Sequence, residues 1–201
     1  MSLKERIIHE SLRLFSLKGF LSTSITDILL AAGTSKGGFY NHFASKEDLF
    51  FQSLDEARKI WREKNLDGLD EITSPLGKVE RLLKNYRDRY LKDTEDFPGG
   101  CIFIIFTVEL ADQRPHLSKE VNTGFIGLKA MIRRFLDEGK ELGELRSEVD
   151  TSDVTEMLFA SIVGTSVIYG SDKSDEGLDK SINTLVDYLG TLKSVPGVVQ
   201  G

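Results

Sequence analysis

A surplus of positive charge, the ordinary mark of a nucleic-acid binder, is missing from this 201-residue chain: 32 Asp and Glu stand against 26 Lys and Arg, a formal charge of −6. Association with a polyanionic phosphate backbone depends on Lys and Arg displacing counterions, so the whole-chain balance argues against DNA. Cysteine is almost absent. Cys101 alone cannot close an internal disulfide, and the three histidines, His9, His42 and His116, are scattered without zinc spacing, so a disulfide scaffold and a structural metal are excluded and a reducing cytoplasm is expected. No apolar run approaches the ~20 residues of a bilayer span; the longest, Cys101 to Phe106 with Thr107 and Val108, falls far short, and no membrane partner is expected. The opening MSLKERIIHESLRLF breaks its apolar pattern with charges and lacks the hydrophobic region of a signal peptide, so no export is expected. Nucleophile–base motifs are also lacking, and Gly37-Gly38 has no preceding strand to make a nucleotide loop. Enzymatic activity and a cofactor are therefore not expected.

What is present is helical periodicity. With 40% hydrophobic and 29% charged residues the chain has globular composition, and only four prolines interrupt it. Ile7, Ile8, Ser11, Leu14 and Phe15 recur at three- and four-residue intervals up to Gly19, a favoured helix stop. Ser24 with Asp27 three residues later has the spacing of a capping box ahead of Ile25, Ile28, Leu29 and Ala32, and that helix stops at Gly33. Ser35 caps a short segment ending at Phe43, and Ser45 with Asp48 opens a longer stripe of Phe50, Leu54, Ala57 and Trp61. Ser74-Pro75 reads as a cap followed by proline in the first turn, and Leu76, Val79, Leu82, Leu83, Tyr86 and Tyr90 continue that helix. After the turn signal Phe97-Pro98-Gly99-Gly100, composition makes the first half of CIFIIFTVELADQ a buried strand with nothing nearby to pair with. Pro115 starts a helix through Leu117, Val121, Phe125, Leu128, Ile132 and Phe135; Asp150 with Asp153 caps another, and Leu178, Ile182, Leu185, Val186 and Leu189 mark the last. The expectation is an all-α protein of about nine helices.

Two short helices meeting at Ala31-Ala32-Gly33-Thr34 have the dimensions of a helix-turn-helix, whose second helix enters the DNA major groove, although glycine-containing corners also occur in purely structural settings. Charge supports the former. Met1 to Lys46 holds six basic residues against three acidic ones, leaving +3 there and −9 in the remainder. The stretch STSITDILLAAGTSKGGFYNHFASKEDLF, with Ile7, Ile8, Leu14, Phe15, Gly19 and Phe20 before it, closely resembles the amino-terminal domain of the tetracycline-repressor (TetR) family of transcriptional regulators. Gly37 and Gly38, poor in a helix interior, leave room for close backbone approach, and Lys36 can donate to guanine or to a phosphate. The resemblance implies that Tyr40, His42, Thr26 near the start of the second helix, and Lys46 reach phosphates, that Asn41 contacts a base or nothing, and that Ser35 belongs to the same surface. Singly, Lys36 and Lys46 also read as solvated lysines and His42 as a ring against Phe43; jointly they point to DNA. Phe39, Phe43, Ile28 and Ala32 are expected beneath them as a small core. Leu29 and Thr34 depart from the alanine and valine usual in that family, which bears on docking angle more than on fold.

The expected division is residues 1–46 as the helix-turn-helix domain and 47–201 as a helical effector-binding and dimerisation domain. Small residues Ala160, Ser161, Gly164 and Thr165 permit close helix approach, and Leu178, Ile182, Leu185 and Leu189 offer a stripe, either to a second copy in an isologous homodimer or to their own core. The resemblance implies a small-molecule pocket among Trp61, Tyr86, Tyr90, Phe103, Phe106, Phe125, Met131, Phe135, Met157 and Phe159. Such side chains suit an apolar or aromatic effector, with ordinary core packing as the competing reading. Cys101 is either a thiol sensor or a core residue. The expected function is a dimeric repressor that binds a palindromic double-stranded operator and is released by an effector; the alternative is a helical interaction protein whose helix-turn-helix no longer binds DNA.

Overall fold

The computed structural model describes residues 1–194; the end of the expected second domain, 195–201, lies outside the described residues. Nine α-helices occur among them: α1 (Leu3–Lys18), α2 (Ile25–Ala31), α3 (Lys36–Tyr40), α4 (Lys46–Asn65), α5 (Pro75–Asn85), α6 (Ile102–Leu110), α7 (Pro115–Glu141), α8 (Thr151–Asp172) and α9 (Asp175–Thr191). A π-helical turn, Tyr86–Leu91, follows α5. No strand is found among the described residues, only an isolated bridge between Leu145 and Lys193.

Local signals fix most of the boundaries. Ser2 caps α1 in a full capping box with Glu5, and α1 ends where Gly19 turns to φ +80°, its N–H donating to Phe15 O at 2.9 Å. Ser24 and Asp27 form the box that opens α2, as their spacing predicts. Ser74 accepts from Gly77 N and Pro75 follows it in α5, while Asp150 accepts from Ser152 N and Asp153 N at the head of α8. The expected strand at Cys101–Phe106 is instead the start of α6. With no second strand to complete a ladder, a helix alone satisfies this segment's backbone, and its apolar composition suits extensive burial: Ile102, Phe103, Ile104, Phe106 and Leu110 are buried, while Val108 is exposed. The helix expected to run on through Tyr90 widens at Tyr86 into the π turn, a rare arrangement that carries one extra residue per turn.

The chain divides into two compact units. The first comprises Met1–Glu63 and Tyr90–Gly124. In it α1 packs on α2, α3 and α6. Its core is aromatic: Phe15, Phe20, Phe50 and Phe106 meet with ring centroids 4.9 to 5.9 Å apart, spanning α1, the turn after it, α4 and α6. The second unit comprises Lys64–Arg89 and Phe125 onward. There α9 packs on α8 and α5, burying Leu76, Val79, Leu82 and Leu83 with Val154, Leu158 and Ile162. The Tyr86 hydroxyl and Ser166 Oγ are hydrogen-bonded at 2.6 Å inside that core.

Among the described residues one helix, α8, is long and apolar enough by length and composition to cross a membrane. Ser, Thr and Gly interrupt its apolar residues, so it contains no long unbroken apolar run. The same composition serves a packed core helix, and Val154, Leu158, Ile162 and Tyr169 are buried along it.

Candidate nucleic-acid interface

The corner between α2 and α3 is built by backbone geometry. Ala32 N–H donates to Ile28 O, Gly33 takes φ +58°, and Thr34 N–H donates to Leu29 O at 3.0 Å, reversing the chain in three residues. Ser35 then accepts from Gly38 N at 3.2 Å and starts α3. The helix proper ends at Tyr40 rather than Phe43; His42 N–H and Phe43 N–H both donate to Phe39 O, so the last residues close as a turn. Phe39, Phe43, Ile28 and Ala32 are all buried, as expected of the core beneath. Leu29 is also turned inward.

The polar residues of the corner lie outside this core. Thr26, Ser35, Lys36, Gly37, Tyr40, Asn41 and His42 are exposed. Tyr40 is held at its ring by an edge contact with Phe39, 5.2 Å between centroids, which leaves its hydroxyl end projecting, and His42 lies edge-on to Phe43 at 6.3 Å. The two glycines separate in role. A Cβ on Gly37 would meet only Ser35 Oγ at 3.7 Å, so Gly37 faces open space, whereas a Cβ on Gly38 would sit 2.3 Å from Thr34 Oγ1 and 3.5 Å from Leu3 Cδ2. Gly38 thus makes room for Thr34, the residue that departs from the usual valine.

Lys46, the first residue of α4, is half-buried with its ammonium over the Phe20 ring. Burial lowers its pKa; the charge of Glu109 opposes that shift and Arg114 adds to it. Below it, Asp48 anchors the entry to α4, accepting from Ala44 N at 2.8 Å while its own N–H donates to Ser45 Oγ. Sequence reasoning misses Glu109 itself. Its carboxylate, from α6, accepts the N–H groups of Phe20 and Leu21, and no local pattern announces a contact across 89 residues.

The aromatic candidates are distributed over both units. In the first, Tyr90, Phe103 and Phe106 are buried and Trp61 is half-buried; Phe106 belongs to the cluster with Phe15 and Phe50, and Tyr90 Oη donates to Cys101 Sγ at 3.6 Å. In the second, Tyr86 and Phe135 are buried, while Phe125, Met131 and Met157 are half-buried and Phe125 meets Phe159 edge-on at 5.5 Å. A surface hollow of about 300 Å³ is lined by Ser74, Leu76, Gly143, Glu144, Lys193 and Ser194, none of them an expected effector contact. No group of His, Cys, Asp or Glu suited to hold a metal occurs among the described residues.

For the expected dimer surface the structure makes one correction. Leu178, Ile182, Leu185 and Leu189 are buried within their own chain, where α9 packs on α8 and α5, so that stripe is not available to a partner. Ala160 is exposed and Gly164 half-buried, on the face of α8 that also carries Val167 and Ile168, 50% and 61% exposed.

Comparison with known proteins matches this architecture over most of the chain. Residues 7–52 match the family described as bacterial regulatory proteins, tetR family, and residues 75–185 match the tetracyclin repressor-like C-terminal domain. The HTH-type transcriptional repressor DhaR of Mycobacterium sp. (strain GP1) is 26% identical over 187 residues, covering 92% of this chain and 91% of DhaR. A TetR transcriptional regulator from Chloroflexus aurantiacus J-10-FL superposes with a TM-score of 0.87 at 27% identity, over 95% of this chain and 96% of that one. AibR, solved in complex with isovaleryl coenzyme A and operator DNA, has the same fold, with a TM-score of 0.73 at 18% identity over 92% of this chain and 98% of that one. The protein therefore belongs to the tetR family of bacterial regulatory proteins, and it is a helix-turn-helix, DNA-binding transcriptional regulator.

Proposed function

We propose that the protein represses transcription by occupying a near-palindromic operator as a homodimer, and that a small apolar or aromatic effector releases it. The observation that carries this reading is the surface of α3 and its flanks, where Lys36, Gly37, Tyr40, Asn41 and His42 face solvent over a core of Phe39 and Phe43. Lys36 is placed to read bases. Thr26, Tyr40, His42 and Lys46 fix register on the phosphates. Residues 1–46 act as the DNA-binding domain and 47–201 as the effector and dimerisation domain, in the cytoplasm where the DNA is and without catalysis.

In the dimer, α8 supplies the contact through Ala160, Val163, Gly164, Val167 and Ile168. An apolar helix face left open to water is costly, and an isologous partner presents the same face to cover it. Two recognition helices related by the twofold then read half-sites about 34–36 Å apart or a multiple of that. The effector reading is supported by the half-buried Phe125, Met131 and Met157 in the second unit, Phe125 lying edge-on to Phe159, side chains that suit an uncharged ligand. DhaR is named as a repressor, and AibR was solved with both an acyl-CoA and operator DNA.

Selection from a random duplex library, followed by fluorescence anisotropy on the enriched sequences, tests the reading. A palindromic consensus bound by two chains supports it. Failure to retain any duplex at low salt would favour an interaction protein that no longer binds DNA.

A further inference from the structure

We propose that Glu109, on α6 and far outside the helix-turn-helix in sequence, is a positioning residue for DNA binding: its carboxylate fixes the turn from which both α2 and the Lys46 ammonium take their places. The turn needs such a partner. After Gly19 N–H has been used by Phe15 O, the next two backbone donors, Phe20 and Leu21, have no helix carbonyl to meet, and Phe20 is only 3% exposed. One carboxylate serves both, Oε2 accepting from Phe20 N at 2.6 Å and Oε1 from Leu21 N at 2.9 Å. Bonds to an ionised acceptor are about twice as strong as neutral ones. Gly19 is part of the same fit, because a Cβ there would lie 2.4 Å from Glu109 Oε1.

The held turn has two outputs. Along the chain, Thr23 Oγ1 donates to Gly19 O at 2.6 Å, and the next residue, Ser24, is the cap that starts α2 and places Thr26. Across space, the Phe20 ring carries the Lys46 ammonium at 4.3 Å and packs on Phe15 and Phe50. A displaced turn therefore moves two phosphate contacts and leaves α3, which holds the base contacts, on its own core. The segment leading to α6 adds two tethers to α1: Arg13 donates to Glu95 O, and Gly99 N–H donates to Ser16 Oγ at 3.2 Å. A Cβ on Gly99 would fall 1.6 Å from Ser16 O, so only glycine permits this approach.

The inference rests on the reading of Thr26 and Lys46 as phosphate contacts, and the test keeps the two separable. Wild type, Glu109→Ala and Glu109→Gln are titrated by anisotropy against several labelled duplexes of unrelated sequence, and amide hydrogen exchange is followed by mass spectrometry. The expected result is a loss of about tenfold for Glu109→Ala on every duplex, comparable to one hydrogen bond to a charged group, with Glu109→Gln in between because it keeps one acceptor. Protection should fall across Phe20 to Asp27 while Ile7 to Leu12 stays protected. A lower melting temperature with unchanged affinity would make Glu109 a merely stabilising residue and overturn the proposal. So would a loss confined to one sequence. If Glu109→Ala does not fold, Glu109→Gln is judged by the same two criteria. Wild type that binds no duplex would overturn the DNA-contact reading itself, and the proposal with it.

Discussion

The Lys46 ammonium sits 4.3 Å above the centroid of the Phe20 ring. A lysine proposed to grip a phosphate is thus seated on the turn between α1 and α2 before any DNA arrives. Its side chain is pre-positioned, although burial lowers its pKa. Lys46→Met, which keeps the stem and removes the charge, should weaken every duplex to a similar extent. The slope of log affinity against log salt should fall by about 1, as for the loss of one phosphate contact. An unchanged slope would leave Lys46 with a structural role only.

Tyr40 and Lys36 should separate by the kind of loss they produce. Tyr40 touches Phe39 edge-on and is otherwise exposed, which suits the phosphate contact proposed for it on any sequence. Lys36, in the first turn of α3, is the residue proposed to read base edges. Tyr40→Ala is expected to reduce binding uniformly, whereas Lys36→Ala should cost about 1–3 kcal/mol on the selected operator and relax preference at one position of each half-site. Binding across a library of single-base operator variants distinguishes the two patterns.

The helix-turn-helix was legible because its signals are local: Ser24 with Asp27, the glycine at 33 and the cap at Ser35 each act within three or four residues. Glu109 was not, since the partner that completes the turn after α1 lies on α6 and no periodicity links them. At α6 a β-rich composition misled, because propensity is weighed locally while the choice between strand and helix depends on whether a pairing strand exists. For α9 the periodicity leaves two readings open. An apolar stripe establishes that a face is buried without saying against which chain, and Leu178, Ile182, Leu185 and Leu189 face their own.

Acid should reveal the helix caps of the first unit. Asp27 accepts from Ser24 N and Ser24 Oγ, each at 2.8 Å, and these bonds, the backbone one foremost, hold its pKa below the ordinary value of 3.8. The folded protein then binds fewer protons here than the unfolded chain, so the stabilisation is complete above the unfolded value and is lost as pH falls through the lowered folded one. Asp27→Asn should melt earlier than wild type at neutral pH, with the gap closing as the buffer is taken below 3.8. A gap independent of pH would mean that the carboxylate charge plays no part in the cap.

Cys101 is expected to be a quiet thiol. It is 6% exposed, with Sγ accepting from the Tyr90 hydroxyl, so an alkylating reagent has little access to it. Iodoacetamide should modify Cys101 completely in denaturant and slowly in the native protein, and native treatment should leave DNA affinity unchanged. Rapid native labelling accompanied by loss of DNA binding would instead identify a thiol sensor.

Gly164 gives the most direct access to the proposed dimer. Nothing lies within 4 Å of where its Cβ would be, so its lack of a side chain answers no need inside its own chain. A glycine inside a helix costs about 1 kcal/mol relative to alanine, which makes an unneeded one at mid-α8 notable unless something approaches from outside. Val167 and Ile168 on the adjoining turn are the exposed apolar residues such an approach would cover. Gly164→Leu should therefore fold with an unchanged helical circular dichroism spectrum, yet scatter light as a monomer at micromolar concentration where wild type is a dimer. With one recognition helix instead of two, it should also lose binding to a full palindrome while keeping the weak affinity of a half-site. A Gly164→Leu protein that remains dimeric would place the subunit contact elsewhere than on this face of α8.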